Sequence, residues 1–94
     1  MTQAEQVQHV PERSRFELAC TGGPAVLTYV RTGDRVVLDH TLVPAACEGQ
    51  GLGSALARAA LTWASQEGLV VVPQCWFVRG WIERHHGEIA LTTA

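Results

Sequence analysis

The fold this sequence predicts is α+β: a mixed sheet, made of an antiparallel meander plus one parallel strand, with two main helices. Three observations predict it. Residues 15–43 hold three strand-like runs separated by turn signals. From Leu52 the apolar residues switch to helical spacing. A short apolar run then follows at residues 69–72, with a second helical pattern behind it.

The elements follow in order. Residues 1–13 are polar, contain Pro11 and read as a loosely attached lead-in to a domain spanning 14–94. Phe16, Leu18 and Cys20 alternate within a first strand, and Thr21-Gly22-Gly23-Pro24 is a turn. Residues 25–31 (AVLTYVR) are rich in β-branched and aromatic residues and form a second strand before the turn at Thr32-Gly33-Asp34. Residues 35–43 (RVVLDHTLV) are the third. Strict alternation puts Val36, Leu38, His40 and Leu42 on one face and Val37, Asp39, Thr41 and Val43 on the other. Pro44 ends it. The first helix carries apolar residues at 52, 55, 56, 59, 60, 63 and 64, with Gly68 as its C-cap. Residues 69–72 are a buried strand closed by Pro73. The second helix covers 76–86, Gly87 stops it, and residues 88–92 form a last edge strand. A helix between the third and fourth strands is a crossover, so those strands are parallel neighbours.

Composition bounds the function. The chain has 94 residues, is 47% hydrophobic and 17% charged, and carries a formal net charge of −2. It buries a core, and its charge argues against binding driven by nucleic-acid phosphates. A domain this small gains stability from a ligand or a second copy of itself, so a homodimer is an expectation. Cys20, Cys47 and Cys75 are an odd set with wide spacing, which is no disulfide framework, and no cluster has metal-ligand spacing. The polar N-terminus has no apolar signal-peptide region, and no run reaches membrane-spanning length. A cytoplasmic setting without membrane contact is expected.

The stretch EGQGLGS (residues 48–54) carries the chemistry. It follows a strand and opens a helix. First-turn N–H groups are unpaired and sit at the positive end of the helix dipole. Glycines let backbone approach an anion closely. The stretch is not a Walker loop, and it fits the dinucleotide fingerprint poorly. On this ground alone, a phosphate cradle and a ligand-free turn remain equally open.

Glu48-Gly49-Gln50-Gly51-Leu52-Gly53 resembles the Gln/Arg-x-x-Gly-x-Gly/Ala motif of the GNAT superfamily of acetyl-CoA-dependent N-acetyltransferases. More narrowly, LDHTLVP (38–44), EGQGLGSALARAAL (48–61) and VVPQCWFVRGWIERHHGE (71–88) resemble, in order and spacing, the minimal single-domain GNAT-like N-acetyltransferase family. The similarity covers nearly the whole chain after residue 15. It implies that Gly49, Gln50, Gly51, Leu52, Gly53 and Ser54 hold the pyrophosphate of acetyl-CoA. It further implies that the backbone of Leu42 and Val43 meets the pantetheine where two parallel strands splay apart. Departures are visible. Glu48 stands at the usual Gln or Arg position, and Cys75-Trp76-Phe77 replaces Cys-Pro-Phe. Trp81 replaces a tyrosine that protonates the leaving thiolate in many relatives, and an indole N–H does not titrate.

Two residues are candidate catalysts. His40 lies beside the implied pantetheine path and carries the side chain most often used for proton transfer, as a general base or as a core-facing histidine. Cys75 follows the last parallel strand, near the implied thioester, as a proton donor, a nucleophile or a packed thiol. Arg79 and Arg84 are candidates for the cofactor's 3′-phosphate or are solvated surface. The function expected is acetyl transfer to an amine on a small molecule or protein. The alternative is a coenzyme-A-binding module without catalysis, and a weaker third is an interaction domain.

Overall fold

Short turns leave the first strands antiparallel, and a helical crossover makes the later ones parallel. The computed structural model describes residues 6–94. Its elements are β1 (Gln8–Val10), β2 (Arg15–Leu18), β3 (Ala25–Thr32), β4 (Arg35–Leu42), α1 (Leu52–Gln66), β5 (Val70–Pro73), α2 (Trp76–Arg84) and β6 (Thr92–Thr93). The six strands form one sheet in the order β1-β2-β3-β4-β5-β6. The first three pairings are antiparallel, and β4–β5 and β5–β6 are parallel.

Both helices pack on one face of the sheet. Leu27, Val36, Leu38 and Val71 rise from the strands, Leu56, Ala60 and Leu61 descend from α1, and Val78 and Trp81 descend from α2. Each fully buried leucine contributes roughly 1.5–3 kcal/mol relative to exposure. The surface pairs Arg58–Glu88 and Arg31–Glu67 contribute at most about 1 kcal/mol each. The fold is therefore held by this layer and not by its ion pairs. Alanines at 55, 57, 60 and 64 let α1 lie close to the sheet. Gly68, at φ 69°, ends the helix in the left-handed conformation, and the Leu69 N–H donates to Ala64 O at 2.9 Å. The second face has no helix on it. Val30 there is 53% exposed and Leu42 is 65% exposed.

Several expectations need correction. Part of the lead-in over 1–13 is ordered: β1 pairs with β2, matching His9 to Phe16. Residues 1–5 of that lead-in lie outside the described residues. The last strand is Thr92–Thr93, parallel to β5, and not 88–92. The second helix stops at Arg84, with His85 as its C-cap. Cys20 and Cys47 are disulfide-bonded, with Cα atoms 6.4 Å apart, which leaves Cys75 as the free thiol. The bond joins the β2–β3 turn to the segment before the glycine loop. Its two ends are distant in sequence and meet only through the sheet. Cysteine spacing therefore gives no basis for expecting a reducing compartment.

The strict alternation expected along the third strand also fails. Thr28 pairs with His40, but Tyr29 pairs with Leu38, so Asp39 is an extra residue in β4. This bulge reverses the faces beyond it. Val36 and Leu38 stay in the core. His40 and Leu42 turn to the uncovered face, where His40 is exposed. Thr41 turns inward beside Leu27. The Asp39 carboxylate accepts a hydrogen bond from Thr28 Oγ1 at 2.5 Å, so Asp39 lies on the same side as His40 and not opposite it.

β1 is held down by His9. Its ring stacks on Phe16 at 4.2 Å and meets Trp63 edge-on at 4.7 Å, and Nε2 lies 2.6 Å from the Tyr29 hydroxyl. Burial lowers the His9 pKa, and Glu12 and Glu67 only partly offset this. The unfolded chain therefore binds the His9 proton more readily, and stability rises with pH where the two states differ. The His9 contribution is fully present above the ordinary value of 6.5. It is lost as pH falls through the lowered folded value. Urea unfolding midpoints of the wild type should fall between pH 8 and pH 5, and His9→Gln should flatten that dependence. Equal slopes in the two proteins would contradict the assignment.

Candidate functional site

Strands β4 and β5 pair only as far as Leu38 and Pro73. Two local features end the pairing. Proline has no N–H to donate, and the bulge at Asp39 turns β4 out of register. The last link is the Cys75 N–H donating to Leu38 O at 2.9 Å. Beyond it β4 runs on to Leu42 with its β5-side edge unpaired.

This parting opens a groove in two contiguous parts. The inner part, of about 420 Å³, is bordered by Thr41, Leu42, Cys75 and Trp76. The outer part, also about 420 Å³, is bordered by Gly49, Gly51, Leu52, Ser54, Trp81 and Arg84. Val43, Glu48, Gly53 and Phe77 border both. The groove thus runs from the first turn of α1 to the start of α2.

At the outer end the backbone is shaped by glycine. Gly49 and Gly51 take φ 81° and 79°, which a side chain would strain. Gly51 is the N-cap of α1, and no side chain caps the helix. The first helical bond runs from Ala55 N–H to Gly51 O, so the N–H groups of Leu52, Gly53 and Ser54 have no acceptor within the helix. A cradle of amides at the positive end of a 15-residue helix suits an anion. Gly53 has a further duty. A Cβ there would lie 2.9 Å from the Phe77 ring, so its absence lets α2 close against α1. The Ser54 hydroxyl accepts a hydrogen bond from Trp81 Nε1 at 2.7 Å, which fixes the same contact.

At the inner end stands Cys75, buried at 8% exposure as the N-cap of α2. Its Sγ lies 3.4 Å from Thr41 Oγ1, a contact that exists because the bulge turned Thr41 inward. Burial pushes the thiol pKa up. The Thr41 hydroxyl and the backbone N–H groups of Val78, Phe77 and Thr41 outweigh this, and the pKa is lowered. The Val78 and Phe77 amides face the sulfur without closing a full cap bond.

The structure gathers most residues singled out from the sequence. Leu42, Val43, Gly49, Gly51, Leu52, Gly53, Ser54 and Cys75 all border the groove. Gln50 is exposed and borders neither part. His40 borders neither and lies on the uncovered face of the sheet. Of the two arginines, Arg84 borders the groove and Arg79 does not. Thr41 was missed. Its inward turn depends on a bulge that leaves no mark on an alternating pattern. Phe77, which the sequence marks only through the Cys75-Trp76-Phe77 motif, has its ring in the groove wall.

A family model described as GCN5-related N-acetyl-transferase matches residues 15–91. Protein NATD1 of Gallus gallus is 36% identical over 83 residues, covering 85% of this chain and 76% of that protein. Protein NATD1 of Homo sapiens is 35% identical over 83 residues, covering 85% and 74%. The solution structure of a GCN5-like putative N-acetyltransferase from Staphylococcus aureus superposes with a TM-score of 0.66. It shares 23% identity and covers 90% of this chain and 83% of its own, which is a likeness of fold.

The lowered pKa of Cys75 is testable by alkylation. The iodoacetamide rate should reach half its maximum at a lower pH than in an unstructured cysteine peptide. Thr41→Val removes the hydroxyl and should move that midpoint up, with the fold unchanged by circular dichroism. A midpoint unmoved by Thr41→Val would leave the hydroxyl without influence on the sulfur.

Proposed function

This chain belongs to the GCN5-related N-acetyltransferase family, and from that premise we propose that it transfers an acetyl group from acetyl-CoA to an amine acceptor. The observation that carries this reading is the continuous groove, with an uncapped helix N-terminus at one end and the Thr41–Cys75 pair at the other. When bound, acetyl-CoA supplies the acetyl thioester. The residues fit it. The amides of Leu52, Gly53 and Ser54, with left-handed Gly49 and Gly51, suit the pyrophosphate. The unpaired edge at Leu42 and Val43 suits the amide-bearing pantetheine arm.

Direct attack by an amine requires one proton to leave the nitrogen and one to reach the departing sulfur. His40 is the candidate for the first task. The bulge sets it on the uncovered face, where nothing among the described residues blocks an acceptor. Cys75 is the candidate for the second. A thiol of lowered pKa gives up its proton more readily, and Thr41 orients the sulfur. Most of the rate gain in this scheme comes from orientation along the groove. The open face suits a small amine or an amine on a protein.

One observation favours a second reading, a coenzyme-A-binding module without turnover. Trp81 is 1% exposed, its indole N–H is committed to Ser54, and it cannot titrate.

The test is incubation of the protein with isotopically labelled acetyl-CoA and cell lysate, followed by mass spectrometry of acetylated products. Labelled amines are expected. With an acceptor in hand, His40→Gln should lower turnover about 10²-fold and leave coenzyme A affinity unchanged. Binding of coenzyme A with no labelled product would favour the second reading. No binding would overturn both.

A further inference from the structure

Resting on the reading above, we propose that Arg84 is the cationic ligand of the cofactor's pyrophosphate. Its position on α2 makes this specific. Phe77, Trp81 and Arg84 of α2, with the C-cap His85, border the outer groove opposite the amides of the glycine loop. Helical side chains lean toward the helix N-terminus, so the Arg84 guanidinium is carried back along α2. It lies over Gly80: a Cβ there would stand 3.1 Å from Arg84 Nη1.

A side chain at position 80 would press on the guanidinium and shift it by a few tenths of an ångström. Gly80 leaves room for the guanidinium to rest beside the groove. The group is also uncommitted. Arg15, Arg31 and Arg58 each pair with a glutamate, and Arg84 has no carboxylate within 4.0 Å among the described residues. Arg58 is engaged twice, by Glu88 and by the Trp81 ring at 5.1 Å. His85 is hydrogen-bonded back to Trp81 O at 2.8 Å.

The groove needs such a cation. Glu48, an acidic residue where the family motif carries Gln or Arg, borders both of its parts. Amides at a helix N-terminus offset this only in part. A guanidinium presents several donors to phosphate oxygens in a fixed fork, and it restores the charge balance.

Calorimetry with the whole chain tests this with three probes: coenzyme A, its 3′-dephospho form, and pantetheine. Arg84→Gln should weaken coenzyme A and dephospho-coenzyme A alike, by about tenfold or more, the scale of one charge-assisted hydrogen bond. It should leave pantetheine binding unchanged. Arg84→Lys should lose less. Gly80→Ala adds a better helix former and shifts the guanidinium by a few tenths of an ångström. It should keep or raise the melting temperature and still weaken coenzyme A severalfold. Wild-type affinity in Arg84→Gln would overturn the proposal. So would a loss confined to coenzyme A, which would put the 3′-phosphate at Arg84. If the wild-type chain binds no coenzyme A, this proposal falls together with the function above. If it binds and Arg84→Gln matches it, only this proposal falls.

Discussion

The parting of β4 and β5 after Leu38 and Pro73 is the constraint on which the site depends. A parallel pair that continued would fill its own backbone donors and acceptors and leave no groove. Pro73 withholds an N–H, and the extra residue Asp39 breaks the register on the other side. The Cys75 N–H takes the Leu38 carbonyl as the last partner, which brings the start of α2 to the mouth of the gap. The bulge then has three effects at once. It turns Thr41 in toward Cys75, sends His40 to the open face, and exposes Leu42 beside the groove.

The second requirement is that α1 and α2 close together without blocking the helix start. Glycine and alanine do this with little polar machinery. Gly53 admits the Phe77 ring, and one hydrogen bond from Trp81 to Ser54 fixes the distance. The Cys20–Cys47 disulfide ties the segment before the loop to the β2–β3 turn at the same end of the sheet. The loop itself can then stay free of side-chain caps, and its first-turn amides face the groove. Trp81, where a tyrosine was expected from the family pattern, acts in this structure as a brace between helices.

Much of this was legible in the sequence. Turn signals and alternation located the three central strands, and helical periodicity located α1 to its Gly68 cap. The glycine motif marked the site because its constraint is local: φ beyond the reach of most residues, just before a helix. What escaped is what depends on distant partners. A single extra residue at Asp39 leaves Val36, Leu38, His40 and Leu42 alternating in sequence while putting His40 and Leu42 on the face opposite Val36 and Leu38. The pairing of Cys20 with Cys47 spans 27 residues and exists only once β2, β3 and β4 are in register. β1 and β6 have three and two residues, too few for a periodic signal, and tertiary contacts such as the His9 stack hold them in place.

The central claim is that one groove joins the glycine loop to the β4 edge and Cys75. The most direct measurement is a titration of the isotopically labelled chain with coenzyme A, followed through backbone amide resonances. The account predicts the largest shifts at residues 49–54, at Thr41–Val43 and at Cys75–Phe77, appearing together at one affinity. Shifts confined to other residues, or two groups that titrate independently, would contradict it.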